Sequence, residues 1–235
     1  MVVNEGHYFD TESGLIIVRA LQSNKSLKKL NLAYSKRNWQ SDLIFMEFLS
    51  SNQSVKSLDL RNHIFQTIIT DSSIINHLTY SIPNDEILCE LFLWNMRSTE
   101  FSIISSGLMK NTCLELLDLQ FIQFYDENFL TFIEMIKHNQ YIKEILIRSS
   151  ESMIGYSENL FSTIISSKLQ AVTLSNLTKE QGELFIRLLK LNPTHSLERI
   201  ALSFEHGHVY CDLWEELDLL LPKLNLSSTF VRPSF

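Results

Sequence analysis

Residues 111–120 read NTCLELLDLQ, and this stretch decides the fold. Leu114, Leu117 and Leu119 occupy positions 1, 4 and 6 of an apolar pattern, and Asn111 stands three residues ahead of it. The pattern returns at Leu27-Leu30-Leu32, Val55-Leu58-Leu60, Leu88-Leu91-Leu93, Ile142-Ile145-Ile147, Leu169-Val172-Leu174 and Leu197-Ile200-Leu202. Successive starts lie 28, 33, 26, 28, 27 and 28 residues apart, and a poorer eighth copy sits at Leu221-Leu224-Leu226. One copy means nothing in a leucine-rich chain. Seven in near-constant register define an internal repeat.

The asparagine repeats with the pattern, at Asn24, Asn52, Asn111 and Asn139, and at Asn192 with two residues inserted. Three residues before these asparagines stand Leu21, Leu49, Leu108, Ile136 and Leu189; seven before stand Ile17, Phe45, Ile104, Phe132 and Phe185. A spacing of four puts both sets on one helix face, the face that packs inward. Asparagine then closes the helix, since it tolerates the left-handed conformation. Helix starts fall at Asp10, Ser41, Asp71, Ser98, Asp126, Ser157 and Thr178, and Thr178 with Gln181 has the capping-box form. Each unit is therefore a helix, a turn at asparagine and a short strand. Like strands separated by helices pair in parallel. Strands need about 4.8 Å each and helices about 10 Å, so stacking bends the sheet with helices outside.

Composition agrees. The chain has 235 residues, 45% of them hydrophobic, which excludes disorder. Only 6 glycines and 4 prolines argue against an all-β sandwich. No uninterrupted apolar run approaches the roughly 18 residues of a membrane-spanning helix. Glu5, His7 and Asp10 stand where a secretory signal needs an apolar core. Cys89, Cys113 and Cys211 are odd in number and far apart, which suits reduced thiols and a cytoplasmic setting. With 20 basic against 27 acidic residues, nothing calls for nucleic acid.

Two stretches carry a likeness to a known family. Gly14 to Leu32 contains Ala20-Leu21-Gln22-Ser23-Asn24 before its strand, and Thr178 to Leu202 places Gly182 at the offset from Asn192 that Gly14 has from Asn24. The repeat resembles the long leucine-rich repeat of the ribonuclease-inhibitor type, shared with Ran GTPase-activating proteins, tropomodulins and nucleotide-binding immune receptors. The likeness covers roughly residues 9–204. It implies an α/β leucine-rich-repeat solenoid, a curved horseshoe of about seven repeats with parallel strands on the concave face and helices on the convex face. The chain then forms one domain, 1–235, with an N-terminal helix and cap at 1–24, repeats at 25–204, and a C-terminal capping helix and tail at 205–235. One departure stands out. Where the family places asparagine or cysteine three residues after the last strand leucine, this chain has Ser35, His63, Met96, Ile122, Ser150, Leu177 and Glu205. Pro83 breaks the helix of the longer third unit.

Alternation along each strand points the intervening residues away from the core. Most are small or polar, but the third to fifth units differ. Phe92, Trp94, Leu116 and Leu146 form an apolar patch beside Asp59, Arg61, Glu90, Asp118 and Arg148. Aromatic residues ringed by charges resemble an interface centre with a polar rim. The alternative is that the irregular third unit folds over them.

Enzymatic signals are weak. His206-Gly207-His208 with Cys211 offers three metal ligands and no fourth, so it reads as a solvated loop. Ser105-Ser106-Gly107 lacks the form of a nucleophile elbow, and no glycine-rich phosphate loop occurs. His63, His77, His138 and His195 read as surface residues. No cofactor or metal is expected. At the C-terminal end, Leu213, Trp214, Leu217, Leu220 and Leu221 share a helix face that closes the last unit; Pro222 discourages an eighth strand, and the tail from Ser227 reads as loose. The expectation is a monomeric, non-enzymatic module binding a protein partner on its concave face, with no nucleic acid and no membrane span. The alternatives are a regulator of a GTPase or of actin assembly, or a translocated bacterial effector acting on a host protein in the host cytosol. Its asparagine-, serine- and isoleucine-rich usage suits an AT-rich genome, which permits an amoeba or an intracellular bacterium.

Overall fold

The computed structural model describes residues 8–9, 16, 19–31, 36–37, 54–60, 87–94, 98–120, 126–148, 155–205, 210–224 and 227–228. The strands are β1 (Tyr8–Phe9), β2 (Lys29–Asn31), β3 (Lys36–Arg37), β4 (Ser57–Leu60), β5 (Glu90–Trp94), β6 (Leu116–Gln120), β7 (Glu144–Arg148), β8 (Ala171–Leu177), β9 (Arg199–Phe204) and β10 (Ser227–Ser228). Residues 19–23 are helical, and the helices whose bounds are described are α1 (Ser98–Leu108), α2 (Asp126–His138), α3 (Ser157–Ser166), α4 (Lys179–Leu191) and α5 (Cys211–Leu220). β1 and β3 pair with each other; the rest form one open sheet in the order β10-β9-β8-β7-β6-β5-β4-β2. Every pairing is parallel. Strands and helices alternate from β5 onward.

The repeat maps onto the register without a slip through β7. Position 4 of each copy shares a rung: Leu30, Leu58, Leu91, Leu117, Ile145, Val172 and Ile200 are successive partners. All seven are buried. The helix positions read as inward are buried wherever they are described: Leu21, Ile104, Leu108, Phe132, Ile136, Phe185 and Leu189. Ile17, Phe45 and Leu49 lie outside the described residues. Strand and helix side chains merge into one apolar cluster, so the helices cover this sheet face and, among the described residues, leave the other open. Neighbouring helices are locked by rings: Phe101 on Phe132 at 5.2 Å, and Phe161 edge-on to Phe185 at 5.2 Å.

A second ladder runs along the strand entries. The carbonyls of Lys28, Lys56, Cys89, Glu115, Lys143 and Gln170 each accept two backbone N–H groups from the next unit, at 2.7–3.0 Å. Each unit thereby satisfies the polar backbone of its neighbour.

The asparagines close their turns by a route different from the expected one. Among the described residues only Asn176 outside glycine has positive φ, at 60°, inside a register shift between Leu174 and Leu177. Asn24, Asn111 and Asn139 instead use the side-chain Oδ1 to accept the backbone N–H groups two and three residues on. The distances are 2.9 and 2.7 Å for Asn24, 3.0 and 2.7 Å for Asn111, and 2.8 and 2.9 Å for Asn139. This is the local side-chain turn that asparagine makes readily. Asn192 sits at φ −126° and donates to the Leu188 carbonyl. Asn52 lies outside the described residues.

Thr178 and Gln181 form the expected capping box. Ser157 does not cap α3: the cap is Tyr156, without a side-chain bond. The buried Ser157 hydroxyl instead accepts from Gln181 Nε2 at 2.8 Å, tying α3 to the start of α4. Asp10, Ser41, Asp71 and Pro83 lie outside the described residues.

Leu213, Leu217, Leu220 and Leu221 are buried at the C-terminal end, as the helical spacing implies. Phe204 is held edge-on by Tyr210 and Trp214, at 5.1 and 5.7 Å. A Cβ on Gly182 would stand 2.5 Å from Cε1 of that pinned ring and 3.1 Å from Leu213 Cδ1. Gly182→Ala should therefore lower stability by about 1 kcal/mol net, since overpacking costs about 1–3 kcal/mol and helix propensity returns up to about 1 kcal/mol. A chemical-denaturation midpoint equal to or above wild type would contradict this. Ser227 and Ser228 pair with Arg199 and Ile200, so the sheet extends beyond the expected end. Pro222 lies upstream in a 3₁₀ turn, Leu221–Leu224, and removes no donor from that pairing.

His195, expected on the surface, is half-buried with both ring nitrogens enclosed. Burial holds its imidazole below the ordinary histidine value, outweighing the backbone around Leu197, which favours the charged form. A depressed folded pKa means that stability is fully present above the ordinary value of about 6.5 and is lost as pH falls toward the folded value. His195→Gln should flatten this acid-side loss in urea titrations run from about pH 7.5 to about pH 5.5. Parallel losses in both proteins would contradict the assignment.

Candidate functional site

The open face is built from the residues that alternate with the buried ones. The register arranges them in rows across the strands. At the strand entries the row runs Lys29, Ser57, Glu90, Leu116, Glu144, Ala171 and Arg199. The next row runs Asn31, Asp59, Phe92, Asp118, Leu146, Thr173 and Ala201. A third contains Trp94, Gln120, Arg148 and Ser175.

The described residues of the sequence-derived site fall on neighbouring strands, in an order that only the register supplies. Phe92, Leu116 and Leu146 are diagonal rather than direct neighbours. They zigzag between the first two rows on β5, β6 and β7, and Glu90, Asp118 and Glu144 fill the alternate squares. Direct neighbours across parallel strands are about 4.8 Å apart and diagonal ones about 7–8 Å. The result is a checkerboard of apolar and acidic side chains. Phe92, Leu116 and Leu146 are half-buried, neither hidden in the core nor fully open. Trp94 belongs to the third row by backbone pairing, opposite Gln120. Arg61 lies outside the described residues.

Asp118 occupies the centre and is 3% exposed, and its Oδ2 accepts from Gln120 Nε2 at 3.2 Å. Asp59, on the far side of Phe92 in the same row, is also buried. Long cations bridge the entry row. Arg199 donates to Glu144 at 2.5 Å and Lys29 lies 3.8 Å from Glu90. Glu144, Lys29 and Arg199 stood outside the sequence-derived site, although their outward phase was legible. Beside this row opens a cleft of about 400 Å³ along the strand entries of β5 to β9.

Burial pushes the Cys89 thiol up, with Lys56 opposing, so the group bordering the cleft stays protonated and is a poor nucleophile. Among the described residues no group of three or more histidine, cysteine or acidic side chains could hold a metal ion. His206 and His208 lie outside them. Likewise among the described residues, no helix is long and apolar enough to cross a membrane. What this geometry offers chemically is a shaped surface with fixed charges. A scan against protein-family models finds no match, and a search of curated proteins finds none either.

Proposed function

We propose that the chain is a single leucine-rich-repeat solenoid of the ribonuclease-inhibitor type whose open, concave face binds a protein partner. The carrying observation is the checkerboard on β5 to β7, where Phe92, Leu116 and Leu146 alternate with Glu90, Asp118 and Glu144. Half-buried apolar groups set among acidic ones make good anchors, because a partner excludes water from both at once. The strands fix these side chains in advance, so little ordering entropy is lost on association. The alternating helices and parallel strands support the repeat assignment.

The test is capture from cell extract with wild type and with Phe92→Ala/Trp94→Ala, folding being checked by circular dichroism. Binding of a captured protein should weaken by at least about tenfold, as for interface hot spots. Unchanged affinity in the folded variant would sink the reading.

A further inference from the structure

We infer that the strand-entry row receives arginine or lysine side chains from a basic, apolar-anchored segment of the partner; this rests on the protein-binding reading and adds the partner's chemistry. Across the sheet the row reads cation, small residue, glutamate, leucine, glutamate, small residue, cation: Lys29, Ser57, Glu90, Leu116, Glu144, Ala171, Arg199. Arg199 reaches Glu144 over Ala171, and Lys29 reaches toward Glu90 over Ser57. Two strand spacings amount to about 9.6 Å, which only long cations cross, and only above small side chains. Both glutamates thus hold a cation supplied from two strands away, Lys29 on the edge strand β2 and Arg199 on β9. The chain's own side chains stand where a ligand's would.

Charge complementarity selects the occupant. The cleft beside the row is lined by Glu90, Glu115, Glu144 and Glu198 against Lys143 and Arg199. Leu116 lies between Glu90 and Glu144, with Phe92 and Leu146 on its diagonals, so a cationic side chain and an aliphatic or aromatic neighbour are accommodated together. Exposed ion pairs contribute little, so an incoming guanidinium displaces Arg199 at small cost. Arginine is favoured over lysine because its planar fork matches a carboxylate.

The experiment measures fluorescence anisotropy with a short fluorescein-labelled peptide of alternating arginine and leucine, and with its glutamate/leucine and arginine/serine counterparts. The arginine/leucine peptide should bind best, and more weakly at high salt. Glu90→Gln/Glu144→Gln should weaken it by about tenfold. Arg199→Ala, which vacates Glu144, should tighten it several-fold. Arg187→Ala, which removes the same charge from the exposed side of α4, should not. No binding, equal effects of Arg199→Ala and Arg187→Ala, or an unchanged affinity in the glutamine double variant would each overturn the inference. In that last case Phe92→Ala/Leu146→Ala separates the two readings. Lost binding there leaves the protein-binding face standing without a basic partner, and retained binding removes both.

Discussion

Asn139→Ala should lower stability by about 3 kcal/mol, the largest loss expected from any polar substitution in the repeat. The buried Asn139 side chain accepts from the Tyr141 and Ile142 amides and donates to the Leu108 and Asn111 carbonyls, the latter at 2.6 and 3.1 Å. Alanine removes all four bonds, three of them buried where water does not replace the lost partner. The donor bonds reach into the preceding unit, so the substitution also loosens the joint between units. Asn192→Ala is the matched control. That residue is exposed and its side chain donates to the Leu188 carbonyl, so its loss should stay under about 1 kcal/mol. Urea midpoints at constant slope measure both. Equal effects would show that the asparagines act only as local turn formers.

Phe132→Ala should cost about 3–5 kcal/mol. Its ring is fully buried and packs against Phe101 at 5.2 Å, joining α2 to α1. The cavity falls between two units rather than within one, where collapse is hardest. Leu130→Ala, two residues earlier on the same helix and 56% exposed, should change stability by less than about 0.5 kcal/mol. A small effect at position 132 would mean that neighbouring helices do not share one core.

What the sequence made legible follows from what repeats. The 1-4-6 positions predict the rungs because a parallel register fixes one residue by its predecessor, and Leu30 through Ile200 line up accordingly. The Thr178–Gln181 box was legible because both partners lie within one turn. The asparagine positions were legible but their mechanism was not: the left-handed turn and the side-chain turn favour the same residue. Ser157 looked like a cap because its real partner, Gln181, is 24 residues away. At the candidate site, phase alone listed the outward residues. The checkerboard needed the register, and the Arg199–Glu144 pair, 55 residues apart, needed the small Ala171 between them.

The most direct test of the protein-binding face is site-specific photo-crosslinking in cell extract, with p-benzoylphenylalanine placed at position 92 or at position 130. Position 92 lies on the open face and position 130 on an exposed helix surface. A discrete protein adduct from position 92 and none from position 130 is the predicted result. Adducts from position 130 alone would place the binding surface on the helices and contradict the account.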